Sequence, residues 1–166
     1  MEILGIIPAR GGSKTIPHKN IVDLAGKPLI SYTCEAALKS KKLTRVILDT
    51  DDELIAEVGR KFGVEVPFLR PTALAGDETG MLKVLEHALN TLKDTENYSP
   101  DIVVLLQPTS PFRTALHIDE ALELLMNSDA DAVVSVVEVP HRFNPVSVMK
   151  IENGKLKNRT TSSRSD

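Results

Sequence analysis

The chain has 166 residues, 42% hydrophobic and 26% charged, with a formal net charge of −3. This is the make-up of one ordinary globular domain, and its slight acidity excludes the bulk basic character of a nucleic-acid or anionic-membrane binder. A single cysteine, Cys34, excludes an internal disulfide, and with neither a signal-peptide pattern nor a membrane-length apolar stretch the expectation is a cytoplasmic protein.

The first predicted element is a buried apolar strand, Ile3 to Ile7, ending at Pro8. It feeds the loop Ala9-Arg10-Gly11-Gly12-Ser13-Lys14-Thr15-Ile16-Pro17-His18-Lys19-Asn20. Gly11 and Gly12 can take positive φ and turn backbone N–H groups toward a ligand. With Ser13 and the cations Arg10, Lys14 and Lys19 this is the composition of a polyphosphate cradle. A solvated basic loop has the same composition, and the run is neither G-x-x-x-x-G-K-[ST] nor G-x-G-x-x-G, so both readings stand at this point.

Residues 21–24 form a short extended piece, 25–28 a turn, and Pro28 opens a helix whose apolar stripe runs from Leu29 through Leu38 to about Ser40. Cys34 falls in this pattern as a small buried residue. Arg45 to Leu48 is a short buried strand. Asp49-Thr50-Asp51-Asp52 reads as the cap of the next helix rather than as a metal site, and that helix carries Leu54, Ile55, Val58 and Phe62 on one face until Gly63. Val64 to Leu69 reads as a strand. Residues 70–80 form a loop holding Arg70, Asp77 and Gly80, followed by a helix from about Met81 to Leu92 with Leu82, Leu85, Ala88, Leu89 and Leu92 inward; His87 on it reads as a surface or packing residue. Residues 94–100 read as polar loop. Asp101 to Leu106 is the strongest candidate for a buried parallel strand, and it runs into a loop from Gln107 to Thr114. A helix from about 115 to 127 and a strand over 132–137 follow. Residues 146–151 then read as a strand, 152–155 as a hairpin turn, and the chain from Lys157 as a disordered polar tail.

The alternation of strands and helices predicts an α/β fold, a mainly parallel sheet with helices on both faces. Ligands of such sheets bind outside the carboxyl ends of the strands. That rule brings the loops at 8–20, 70–80 and 107–113 to one rim and their residues Arg10, Lys14, Lys19, Arg70 and Gln107 to one pocket. The expected organisation is a nucleotide-binding domain over 1–138, an arm over 139–157 and a tail over 158–166.

The run R-G-G-S-K-x-I-P-x-K-N from Arg10 to Asn20 resembles the signature loop of the acylneuraminate (sialic acid) cytidylyltransferases. The resemblance extends through Gly26-Lys27-Pro28-Leu29, Asp49-Thr50-Asp51, Leu69-Arg70-Pro71 and Asp77 to Leu105-Leu106-Gln107-Pro108-Thr109-Ser110-Pro111-x-Arg113. It implies a Rossmann-like nucleotidyltransferase that transfers CMP from CTP to an acidic sugar of the nonulosonic class and releases pyrophosphate. It implies that Arg10 and Arg70 contact the cytosine end, that Ser13, Lys14, Lys19 and Asn20 hold the phosphates, and that Gln107 contacts the sugar. Arg10, Lys14 and Lys19 become the candidate catalytic residues, and Ala9, Gly11, Gly12, Asp77 and Gly80 join the nucleotide-binding set. Mg²⁺ is the implied cofactor and a homodimer the implied assembly, formed through the arm.

Two departures qualify the resemblance. Gly80 and Met81 stand where the family pattern has small hydroxyl residues that help read the base. The pattern also continues past this length, to a late Asp-x-Asp that binds Mg²⁺, so the resemblance implies a C-terminally truncated member without metal ligands of its own. A non-catalytic nucleotide-binding remnant, or a sugar nucleotidyltransferase of other specificity, are the alternative readings.

Overall fold

The computed structural model describes residues 1–13, 16–140, 149–153 and 155–158. Contacts divide the chain into a unit over Met1–Val133 and a second over Val134–Asp166. The first unit is built on β1 (Ile3–Pro8), all six residues of which are buried. β1 is the middle strand of a parallel three-stranded sheet, between β4 (Arg45–Asp49) and β5 (Ile102–Leu105). Ile6 stands opposite Ile47 on one side and Leu105 on the other.

A strand alternates its side chains between two faces, and β1 buries both. Leu4 and Ile6 pack with Ile47 and with Ala88 and Leu92 of α3 (Met81–Glu96). Ile3 and Ile7 pack with Ile30 and Cys34 of α1 (Leu29–Leu38), Ile55 of α2 (Glu53–Lys61), and Ile118 and Leu122 of α4 (Ala115–Met126). Helices therefore cover both faces of a parallel sheet, as the alternation predicts. Before α1 lie a 3₁₀ turn (Lys19–Ile21) and a small antiparallel ribbon of β2 (Asp23–Leu24) and β3 (Lys27–Pro28), turned by Ala25 and Gly26 at positive φ. Cys34 is buried as expected, and burial pushes its thiol up to about 12, which keeps it protonated.

Several predicted elements change. The strand expected over 64–69 contracts to one parallel bridge, Ile47 to Glu65, because Pro67 has no N–H to extend a ladder. α3 runs on to Glu96, through residues expected as loop: Arg45 Nη1 holds Glu96 at 2.7 Å and Asn97 ends the helix with φ 54°. Leu38 and Leu54, placed in apolar stripes by period, are about half exposed. Leu82 is 74% exposed while Val84 is buried in its place, so the face α3 turns to the sheet is offset from the one the spacing suggests. The strand expected over 132–137 is not formed, and Val134, Val136 and Val137 are exposed. β propensity needs a neighbouring edge to act on, and no ladder partner for this segment is found among the described residues.

In the second unit, β6 (Met149–Glu152) pairs antiparallel with β7 (Lys155–Asn158), with Asn153 in the left-handed region at the turn. The expected turn is there, and the expected strand over 146–151 is present from Met149; its residues 146–148 lie outside the described residues. Lys157 and Asn158 belong to β7 rather than to a polar tail, since ladder bonds use backbone and need no apolar side chain. The remainder of that expected tail is outside the described residues.

The offset of α3 gives a paired test. Leu92→Ala, at a fully buried position, should cost about 2–5 kcal/mol in urea unfolding. Leu82→Ala should stay within about 0.5 kcal/mol of wild type. Equal costs would contradict the orientation of α3.

Candidate functional site

β1, β4 and β5 run parallel, so their carboxyl ends, at Pro8, Asp49 and Leu105, open on one rim. A cleft of about 220 Å³ lies there. Arg10, Ser13, Lys19 and Asn20 line it from the first loop, Arg70 and Asp77 from the second, and Gln107 from the third. The convergence expected from fold class is thus present in the geometry. Lys14 lies outside the described residues. Ala9 is buried, and its N–H donates to the Asp49 carbonyl at 2.9 Å, so it anchors the start of the loop rather than lining the cleft. Gly80 is the N-cap of α3, between the cleft-lining Thr79 and Met81.

The glycine loop is held from behind by the acidic run at the end of β4. The Gly11 N–H donates to Asp51 Oδ1 at 2.9 Å. Asp52 caps α2, accepting from the N–H groups of Leu54 and Ile55, and its Oδ2 lies 3.6 Å from His18 Nδ1. Asp49 instead pairs with Arg70, so the expected cap is in fact one capping residue, Asp52, and two tethers, Asp51 and Asp49. Gly11 and Gly12 are not at positive φ; the non-glycine His18 is, at 48°. Gly11 is needed for a different reason. A Cβ there would lie 2.8 Å from the Asp52 Cβ, whereas one on Gly12 meets nothing within 4 Å. Close approach to Asp52, not left-handed backbone, sets the glycine requirement.

Across the cleft Arg10 Nη2 pairs with Asp77 Oδ1 at 2.5 Å, with each side chain about one-third exposed. Asn20 is buried, and its Nδ2 donates to the Arg10 carbonyl at 2.9 Å, so part of its amide works on the loop itself. Arg70 is 5% exposed and makes a buried pair with Asp49, which has no exposure. Burial pushes the Asp49 carboxyl above the usual range, against the opposing pull of the Arg70 hydrogen bond and charge. In the third loop Arg113 Nη1 donates to the Gln107 carbonyl at 3.2 Å, leaving the exposed Gln107 side chain free to face solvent.

Sequence reasoning missed the apolar wall of the cleft, made by Leu74, Met81 and Val84. It also missed the Asp49–Arg70 pair, although an aspartate ending a strand of buried residues signals the need for a partner. His87 takes the packing role expected of it, edge-on to Phe68 with ring centroids 5.5 Å apart. Among the described residues no group of three or more His, Cys, Asp or Glu could hold a metal ion; the acidic run is committed to Arg70, Gly11 and the α2 cap. These residues do not form a Mg²⁺ cage.

A larger cleft, about 480 Å³, lies between the end of α1 and α4, lined by Lys39, Lys42, Asp119 and Glu123 among others. Part of its charge is paired within it. Lys42 pairs with Glu123 at 3.0 Å, and Asp119 accepts from the Ser40 hydroxyl and the Lys41 N–H. It is a fastening between two helices and lies away from the convergent loops.

Comparison with known proteins gives a consistent picture. A family model described as cytidylyltransferase matches residues 4–160. The chain is 42% identical over 136 residues to an N-acylneuraminate cytidylyltransferase of Escherichia coli O18:K1:H7, covering 81% of this chain and 31% of that protein. It is 40% identical over 138 residues to a pseudaminic acid cytidylyltransferase of Campylobacter jejuni, covering 83% and 59%. The chain thus spans about a third to three-fifths of the curated relatives it matches here. A solved CMP:2-keto-3-deoxy-manno-octonic acid synthetase complexed with CTP superposes with a TM-score of 0.64 at 25% identity, over 78% of this chain and 49% of that one.

The contrast between the adjacent glycines is directly testable. Gly11→Ala must displace Asp52 and should lower stability by about 1–3 kcal/mol in urea unfolding. Gly12→Ala should change it by less than about 0.5 kcal/mol. Indistinguishable variants would remove the close-approach account of Gly11.

Proposed function

The chain belongs to the cytidylyltransferase family, and on that premise we propose that its cleft binds CTP and serves the transfer of CMP to a nonulosonic (acylneuraminate-type) acid sugar, with release of pyrophosphate. The observation that supports this most is the meeting of three loops, distant in sequence, on one cleft at the carboxyl rim of the sheet. The lining from the first loop is cationic and polar, suited to a triphosphate; the lining from residues 70–84 includes Arg70, Leu74, Met81 and Val84, suited to a flat base.

In this proposal the sugar's anomeric hydroxyl attacks the α-phosphate and pyrophosphate leaves. Arg10, Lys14 and Lys19, with the Gly12 and Ser13 N–H groups and the Ser13 hydroxyl, stabilise the charge that grows on the phosphoryl oxygens and the leaving group, while the Gly11 N–H stays with Asp51. The Arg10–Asp77 pair has to rearrange for Arg10 to meet a nucleotide anion, so Asp77 sets the resting position of that arginine. Gln107 faces the sugar. Relatives named for different sugars match about equally, at 42% and 40% identity, so the proposal stops at the class of acid sugar. Mg²⁺ belongs to it as the usual companion of a triphosphate, with no cage for it among the described residues. A homodimer and a cytoplasmic location belong to it as well; no helix among the described residues is long and apolar enough to cross a membrane.

Pyrophosphate release from CTP with N-acetylneuraminate or pseudaminate and Mg²⁺ is the test. Release supports the transferase reading. CTP binding without release assigns the chain to nucleotide binding alone. In calorimetry, Arg10→Ala and Lys19→Ala should each weaken CTP binding about tenfold, the loss of one charge-assisted contact. Wild-type affinity in both variants would remove the cradle assignment.

A further inference from the structure

Beneath the cleft lies a charged pair that the phosphate-binding loop does not use. Ile47 faces α3, so Asp49, two residues on, lies on the same face of β4. There Arg70 Nε donates to Asp49 Oδ1 at 2.9 Å and Arg70 Nη2 to the Asp49 carbonyl at 2.8 Å, while the Arg70 N–H donates to the Thr50 carbonyl at 2.7 Å. Both side chains are almost wholly buried, at 4% and 0% exposure. Asp49 Oδ2 is buried without a hydrogen-bond partner among the described residues, so the side-chain hydrogen bond this carboxylate accepts there is the one from Arg70. Either charge without the other would be a buried, uncompensated ion.

A guanidinium carries five N–H donors across three nitrogens. Two of those nitrogens are committed to Asp49, which leaves Nη1 without a hydrogen-bond partner among the described residues. Yet Arg70 lines the cleft, as do Leu74, Met81 and Val84. Its charge is cancelled within the pair and its orientation is set at backbone and side chain. Such a group exerts little pull on a triphosphate; it can offer a fixed N–H to an uncharged acceptor.

We propose that Asp49 is a positioning residue for nucleotide selection: it orients Arg70 and neutralises it, so that Arg70 meets the base end of the nucleotide as a directional donor rather than the phosphates as a cation. This rests on the reading that the cleft takes CTP. It also sets Arg70 apart from Lys19 by role, with Lys19 supplying net charge and Arg70 supplying direction.

The test compares CTP with inorganic tripolyphosphate, which has the charge but no base. In calorimetry on the full chain, Asp49→Asn should lower the ratio of CTP affinity to tripolyphosphate affinity about tenfold, through a misdirected donor and an added net charge. A folded Asp49→Asn protein that keeps the wild-type ratio within about twofold would overturn the proposal, since a purely structural aspartate would weaken both ligands alike. A second measurement needs no variant: the Arg70 Nε–H resonance of the wild-type chain should shift on adding CTP and stay in place on adding tripolyphosphate. Equal shifts with both ligands would overturn it. Failure of the wild-type chain to bind CTP at all would instead remove the parent reading, and this proposal with it.

Discussion

Burial of β1 on both faces is the constraint on which the rest of this structure depends. A strand with no polar face cannot sit at the surface, so helices must cover both sides of its sheet: α3 on one, and α1, α2 and α4 on the other. Parallel neighbours then follow, because each strand is reached by a helical crossover that returns the chain to the same end. Every strand consequently delivers its following loop to one rim. The cleft is a result of this traffic; nothing in the loops alone would bring Arg10, Arg70 and Gln107 together.

The acidic run after β4 shows how a site is held from beneath. Three aspartates within four residues take three different tasks. Asp49 holds Arg70, Asp51 holds the backbone of Gly11, and Asp52 caps α2 while crowding Gly11 from the other side. The first two reach across to loops more than twenty residues or about forty residues away in sequence. The run therefore fixes two walls of the cleft relative to β4, and with them the separation between a cationic end and an apolar end. A buried ion pair adds little net stability once desolvation is counted, so the Asp49–Arg70 pair is better understood through the geometry it imposes than through the stability it contributes.

Much of the fold was legible in the sequence. The run Ile3 to Ile7 reads as a buried parallel strand and is one, whereas 102–106 reads the same way and forms a parallel strand that is only half-buried, with Leu105 exposed; helices start after Pro28 and the aspartate run, and at residues 81 and 115, as expected. The misses have physical causes. Period places Leu82 and Leu54 on apolar stripes, but a stripe says which residues share a face and not how far the sheet extends beneath it. Residues 94–96 look like loop by composition, and the ion pair from Arg45 to Glu96 carries the helix through them. Residues 132–137 have every local feature of a strand and form none, because pairing is supplied by a neighbour and not by the segment itself.

The site divides along the same line. The amino-acid sequence by itself determined which residue types were available, the order of strands and loops, and the specific strings from Arg10 to Asn20 and from Leu105 to Arg113 that identify the family. These are local properties, carried by neighbours in the chain. Only the tertiary structure decided that Gly11 is required by its approach to Asp52, that Arg10 rests on Asp77, and that Arg70 is neutralised by Asp49 before any ligand arrives. Each of these is a contact between residues brought close by the crossovers of the sheet. Electrostatic role depends on distance and burial in space, which spacing along a chain does not encode.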